Sequence, residues 1–208
     1  MKDFKGVFTA LITPFDDEDC LDETGLRLLI KRQRENEVNG IVFLGTTGET
    51  PTLSKTEKKR IVEIGKQECG PGTLMIVGTG SYSTKQTIED TLWAEEAGAD
   101  AALIVNPYYN KPTQEGLYQH FKSIAEATSF PIILYNIQGR TGVNITTETL
   151  KRLMQIPTIV GIKEASGNIS QISDVIEVSR QIRPDFAILS GDDALTLPLM
   201  ALGGHGIV

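Results

Sequence analysis

The feature that most constrains this chain is an alternation. Short apolar, β-branched runs recur at a spacing of roughly 25–30 residues, each followed by a capped helical pattern. Strand runs are expected at 6–12, 40–44, 74–77, 101–105, 131–134, 158–162 and 186–189, and the stretch 203–208 enters an eighth. Helices are expected over about 22–37, 55–68, 83–97, 114–127, 147–154, 168–181 and 193–201. Ser54 with Glu57, Ser83 with Gln86 and Asn168 with Gln171 have the spacing of N-terminal caps, and Pro198 should bend or break the last helix. Regular βα alternation demands a parallel sheet, and eight units demand that it close. The expected fold is an α/β (β/α)8 TIM barrel forming a single domain over 1–208. The chain ends inside strand eight, so the reading expects two open sheet edges, with the rest of the barrel and a following helical region absent.

Composition excludes several classes of function. A net charge of -7 argues against nucleic acid or an anionic membrane as a partner. No apolar stretch reaches transmembrane length and the N-terminus is not patterned as a signal peptide, so a cytoplasmic protein is expected. Cys20 and Cys69 follow no metal spacing, and His120 and His205 have no metal partner at useful spacing. Gly78-Thr79-Gly80-Ser81 lacks the third glycine of a dinucleotide fingerprint, and Gly45-Thr46-Thr47-Gly48 is not a P-loop. No cofactor is expected.

In a barrel the chemistry comes from the C-terminal ends of the strands and the loops after them. Those ends carry Thr46 and Thr47, then Asn106, Tyr108 and Tyr109, then Tyr135, Lys163 and finally Gly191 and Asp192. Lys163 closes an apolar run. Desolvation there disfavours the ammonium form, and a neutral amine attacks carbonyls to give a Schiff base. A solvated lysine just past a strand end is the bland alternative. Tyrosine hydroxyls could carry the proton that the carbinolamine needs to lose water; equally, Tyr108 and Tyr109 could be packing aromatics. Arg140, in a glycine-flanked loop, is either solvated or a fork for a carboxylate. Asp192-Asp193 reads most simply as a helix cap.

Taken together, Gly45-Thr46-Thr47-Gly48-Glu49, the stretch Asn106 to Pro112, Leu134-Tyr135-Asn136 with Gly139-Arg140-Thr141-Gly142, Gly161-Ile162-Lys163-Glu164-Ala165 and Ser190-Gly191-Asp192-Asp193 resemble one family. It is the dihydrodipicolinate (4-hydroxy-tetrahydrodipicolinate) synthase family, within the N-acetylneuraminate lyase group of class I aldolases. The resemblance runs from Gly6 to Val208. It implies a lyase of lysine and diaminopimelate biosynthesis that condenses pyruvate with L-aspartate-4-semialdehyde. It further implies that Lys163 forms the Schiff base, that Tyr135 donates and accepts the proton, and that Thr46 relays protons between Tyr135 and Tyr109. Tyr109 would reach the site of a neighbouring subunit in a tight dimer. Thr47 would hold the pyruvate carboxylate, Arg140 the carboxylate of the second substrate, and Val208 and Gly191 would line the pocket. A homotetramer built from two tight dimers is implied for the full-length parent.

Some positions depart from the family pattern. Gln138 stands where many members have proline. Tyr82 and Gln86 replace the asparagine and glutamate of lysine-inhibited members, and Lys55 and Lys58 stand at frequent histidine positions. Feedback inhibition by lysine is therefore expected to be weak or absent. A sibling aldolase acting on N-acetylneuraminate or a 2-keto-3-deoxy sugar acid, or an inactive fragment of such an enzyme, are the readings that compete. Thr47 and the Gly-Arg-Thr-Gly context of Arg140 favour the synthase.

Overall fold

A computed structural model describes residues 2–208. Its strands are β1 (Gly6–Ala10), β2 (Gly40–Phe43), β3 (Leu74–Gly78), β4 (Ala101–Val105), β5 (Ile132–Asn136), β6 (Ile159–Glu164), β7 (Ala187–Ser190) and β8 (Gly206–Ile207). They pair in chain order, all parallel, into a closed barrel. The expected open edges are not there. Short as it is, β8 pairs Gly206 with Leu189 on one side and with Gly6 on the other.

The helices are α1 (Glu23–Glu35), α2 (Lys55–Glu68), α3 (Thr84–Glu96), α4 (Gln114–Ala127), α5 (Gln138–Thr141), α6 (Thr147–Leu153), α7 (Ile169–Ile182) and α8 (Asp193–Leu202). The caps read from sequence form. Ser54 and Glu57 make a full capping box on α2, the Ser83 side chain accepts from Gln86 N, and Asn168 Oδ1 accepts from Gln171 N. α8 runs through Pro198 as one helix. Pro198, sixth of the ten residues, forfeits the intrahelical bond its nitrogen would have given to Ala194, and the helix continues past it. α5 was expected to be loop. It is one turn, stopped by Gly142 in the left-handed region (φ 73°).

Over β2–β7 both faces of the sheet are covered, which is why those strands read as unbroken apolar runs, whereas β1 buries only Phe8 and leaves Val7 49% exposed. Outward residues such as Ile41, Phe43, Ile104, Leu134, Ile162 and Ile188 pack against the helices. Inward residues such as Phe8, Val42, Ile76, Leu103, Ile133 and Leu189 fill the barrel. Gly40 admits Phe8 to that interior, since a Cβ there would lie 2.7 Å from the phenyl ring. Arg183, just after α7, locks the turn that launches β6. Its Nη1 donates to the carbonyls of Met154, Ile156 and Ile159 at 3.3, 3.0 and 2.8 Å. The filled barrel thus presents the C-terminal end of β6 as a fixed platform. Cys20 is exposed and Cys69 buried, and the two are free. No helix among the described residues is long and apolar enough to cross a membrane.

Candidate active site

Above the inward core, at the C-terminal end of the strands, lies a cavity of about 570 Å³. Seven of the eight expected site residues line it: Thr46, Thr47, Tyr135, Arg140, Lys163, Gly191 and Val208. The eighth, Tyr109, does not. It is 89% exposed, its backbone held in the left-handed region at φ 71°.

Lys163 and Tyr135 are register partners on β6 and β5. Their side chains point into the same space, with the lysine Nζ 4.3 Å from the centre of the tyrosine ring. Only 7% of Lys163 is exposed. Burial lowers its pKa to about 8, against an opposing push from the Asp193 carboxylate, while Arg140 lowers it further. Burial pushes the Tyr135 hydroxyl up, so it holds its proton, and the Arg140 charge tempers that. The lysine stem has room because residue 191 is glycine. A Cβ there would lie 2.8 Å from Lys163 Cε and 2.9 Å from its Cγ. The Gly191 amide is in turn held by the Glu164 carbonyl at 2.8 Å.

Thr46 and Thr47 stand at the mouth, in a turn fixed by two backbone bonds, Gly48 N to Gly45 O and Glu49 N to Thr46 O, at 3.1 Å each. From below, the Thr13 hydroxyl donates to the Gly48 carbonyl at 2.7 Å. Arg140 projects from the one-turn α5, exposed and without an ion-pair partner among the described residues. Val208 closes the wall, its amide on the Ser190 carbonyl at 2.8 Å. The arrangement offers a desolvated amine, a protonated phenol and a free guanidinium around one space. It is equipped for amine addition to a carbonyl on a carboxylate-bearing substrate.

Sequence reasoning missed three lining residues: Ala10, Ile137 and Asp193. The Asp192-Asp193 pair was read as a single cap. Asp192 alone caps α8, its Oδ1 accepting from Ala194 N at 3.0 Å. That leaves Asp193 at the first helical position, free to face the cavity, and one cap per helix was the signal available in the sequence.

Fold and site together define a parallel barrel with a buried amine at a strand end. Comparison narrows this. The model of the dihydrodipicolinate synthetase family matches residues 3–208, and the chain belongs to that family. A 4-hydroxy-tetrahydrodipicolinate synthase of Protochlamydia amoebophila (strain UWE25) is 63% identical over 204 residues, which are 98% of this chain and 68% of that protein. The crystal structure of dihydrodipicolinate synthase from Thermotoga maritima superposes with a TM-score of 0.97 at 43% identity, covering 100% of this chain and 70% of that one. A synthase of the same family from Cyanidioschyzon merolae, solved with lysine bound, superposes with a TM-score of 0.93 at 44% identity, covering 99% and 69%.

Proposed function

We infer that the chain is a lyase that condenses pyruvate with L-aspartate-4-semialdehyde to 4-hydroxy-tetrahydrodipicolinate, through a Schiff base on Lys163. The observation that carries this is the buried lysine paired with Tyr135 on adjacent strand ends. The neutral Lys163 amine adds to the pyruvate carbonyl. Tyr135 gives the proton with which the carbinolamine oxygen leaves as water, and Thr46 relays protons to it together with a Tyr109 that reaches in from a neighbouring subunit. Loss of a methyl proton gives an enamine, whose carbon attacks the aldehyde of the second substrate. The amino group of that substrate then adds to the imine carbon, closes the ring and expels the Lys163 amine. Thr47 holds the pyruvate carboxylate, Arg140 the carboxylate of the semialdehyde, and Gly191 and Val208 shape the pyruvate pocket.

Assembly into a homotetramer of two tight dimers belongs to the same reading. It is supported by Tyr109, a large side chain held outside its own cavity, and by the exposed Leu197 and Met200 on α8.

Borohydride reduction in the presence of pyruvate, followed by peptide mass spectrometry, tests the chemistry. The expected result is a reduced pyruvate adduct on Lys163 that is absent from Lys163→Ala. A folded chain with no adduct refutes the mechanism.

A further inference from the structure

Behind the reactive pair the same two strands carry a second pair. Asn136 and Glu164 directly follow Tyr135 and Lys163, and they too are register partners. The two-residue period of a strand sends them to the opposite face, between barrel and helices. Asn136 is 0% exposed and Glu164 1%. Burying a carboxylate without a cation is costly, and Glu164 has no ion-pair partner among the described residues. It accepts instead from Ser166 N at 2.7 Å and from Asn136 Nδ2 at 3.2–3.3 Å. Asn136 is the hub. Its Nδ2 donates to Asn144 Oδ1 at 2.8 Å, and its Oδ1 accepts from Ile145 N and Asn106 Nδ2, each at 3.0 Å. Asn144 in turn donates to Gln171 Oε1 on α7 at 2.7 Å.

The cluster is not optimised for stability, because the buried Asn106 Oδ1 has no hydrogen-bond partner among the described residues. What it does accomplish is geometric. Asn136 and Asn144 clasp the two ends of the segment that bears Arg140, which lies four residues from each, and Glu164 anchors that clasp to the strand bearing Lys163. We propose that Glu164 and Asn144, joined through Asn136, are positioning residues that set the guanidinium of Arg140 at a fixed reach from the Lys163 amine, and so tune the enzyme for the length of its second, carboxylate-bearing substrate. This rests on the function proposed above.

Asn144→Ala opens the clasp from the loop side without touching a strand. The KM for aspartate semialdehyde should rise about tenfold, while the rate of pyruvate trapping on Lys163 stays within about twofold, because only the arginine is displaced. Glu164→Ala should show the same split, and Glu164→Gln should restore it, since the amide oxygen still accepts from Asn136 and Ser166. An unchanged KM in Asn144→Ala overturns the proposal. So does a KM that worsens in step with pyruvate trapping, or a Glu164→Gln variant as impaired as Glu164→Ala. Amide hydrogen exchange over residues 137–144 supplies a readout independent of the chemistry. It should accelerate in Asn144→Ala. If pyruvate is never trapped on the wild-type chain, the proposed function falls, and exchange alone decides: unaltered protection then overturns the clasp as well.

Discussion

The Lys163 amine stands 4.3 Å from the centre of the Tyr135 ring, across one rung of the β5–β6 ladder. Strand pairing fixes the two backbones, and both side chains face the same space. An amine with a pKa of about 8 is about one-tenth neutral at pH 7, whereas one at the ordinary 10.5 is neutral in about three molecules per ten thousand. Pyruvate trapping should therefore rise with pH through a midpoint of about 8. The neighbouring charges fix the sign of two shifts. Asp193 raises the lysine pKa, so Asp193→Asn should move the midpoint down; Arg140 lowers it, so Arg140→Leu should move the midpoint up. Both shifts should shrink in high salt, since both charged groups are exposed. Midpoints that move the opposite way would show that the electrostatic assignment is wrong.

Gly191 gives a steric test of the same pocket. A methyl group there meets the Lys163 stem at 2.8 and 2.9 Å and the Ala165 methyl at 2.9 Å. Gly191→Ala should cost about 1–3 kcal/mol of stability by overpacking. A displacement of the amine by about 1 Å should slow pyruvate trapping about a hundredfold. Unfolding curves and trapping rates measured side by side check both, and a trapping rate equal to the wild type would show that the stem simply rotates aside.

Much of the fold and of the site is legible in the sequence. The barrel followed from spacing alone, and Lys163 stood out because a charged residue ended an apolar run. What stayed hidden has physical causes. The fifth apolar run stops at Leu134 and leaves Tyr135-Asn136 at its end, yet both pair within β5. Polarity at a strand end carries no information about backbone pairing. The single turn of α5, with Gly139 inside it, has no periodicity to detect, and its stop depends on the left-handed Gly142. Asp193 was hidden by its neighbour's cap. Glu164 was hidden because a sequence pattern does not reveal that a carboxylate is buried behind a sheet and held by Asn136 and Ser166 rather than by a cation.

The substitutions at Tyr82, Gln86, Lys55 and Lys58 converge in space. All four line a cavity of about 730 Å³ between α2, α3 and the ends of β3 and β4, together with Lys59 and Tyr108. Tyr82 and Tyr108 meet edge to face there, with ring centroids 5.5 Å apart. Three lysines from α2 oppose entry of another ammonium group, and Gln86 offers it an amide in place of a carboxylate. Titration with free lysine should leave the condensation rate unchanged, while Gln86→Glu should weaken that resistance. Strong inhibition of the wild-type chain by lysine would mean that Glu89 and Asp90, which share the lining, supply the missing negative charge.

His120, on α4, governs a last behaviour that has nothing to do with catalysis. It is buried against Phe121, with rings edge to face at 5.0 Å, and its Nδ1 lies 2.9 Å from the Thr84 hydroxyl. Its Nε2 has no hydrogen-bond partner among the described residues. Burial lowers its pKa from 6.5 to about 4. Between those values the unfolded chain binds a proton that the folded chain refuses, so stability falls as pH drops from 6.5 and the loss is complete near pH 4. A shift of that size corresponds to at most about 3 kcal/mol. Acidic side chains titrate in the same window, so the informative quantity is the difference between two profiles. Denaturant unfolding of the wild type and of His120→Gln, measured from pH 7 down to pH 4, should give curves that converge towards acid, because the variant has no imidazole to protonate. Curves that stay parallel would show that the imidazole takes up its proton in the folded state, and the space between α3 and α4 would then have to admit water to the ring.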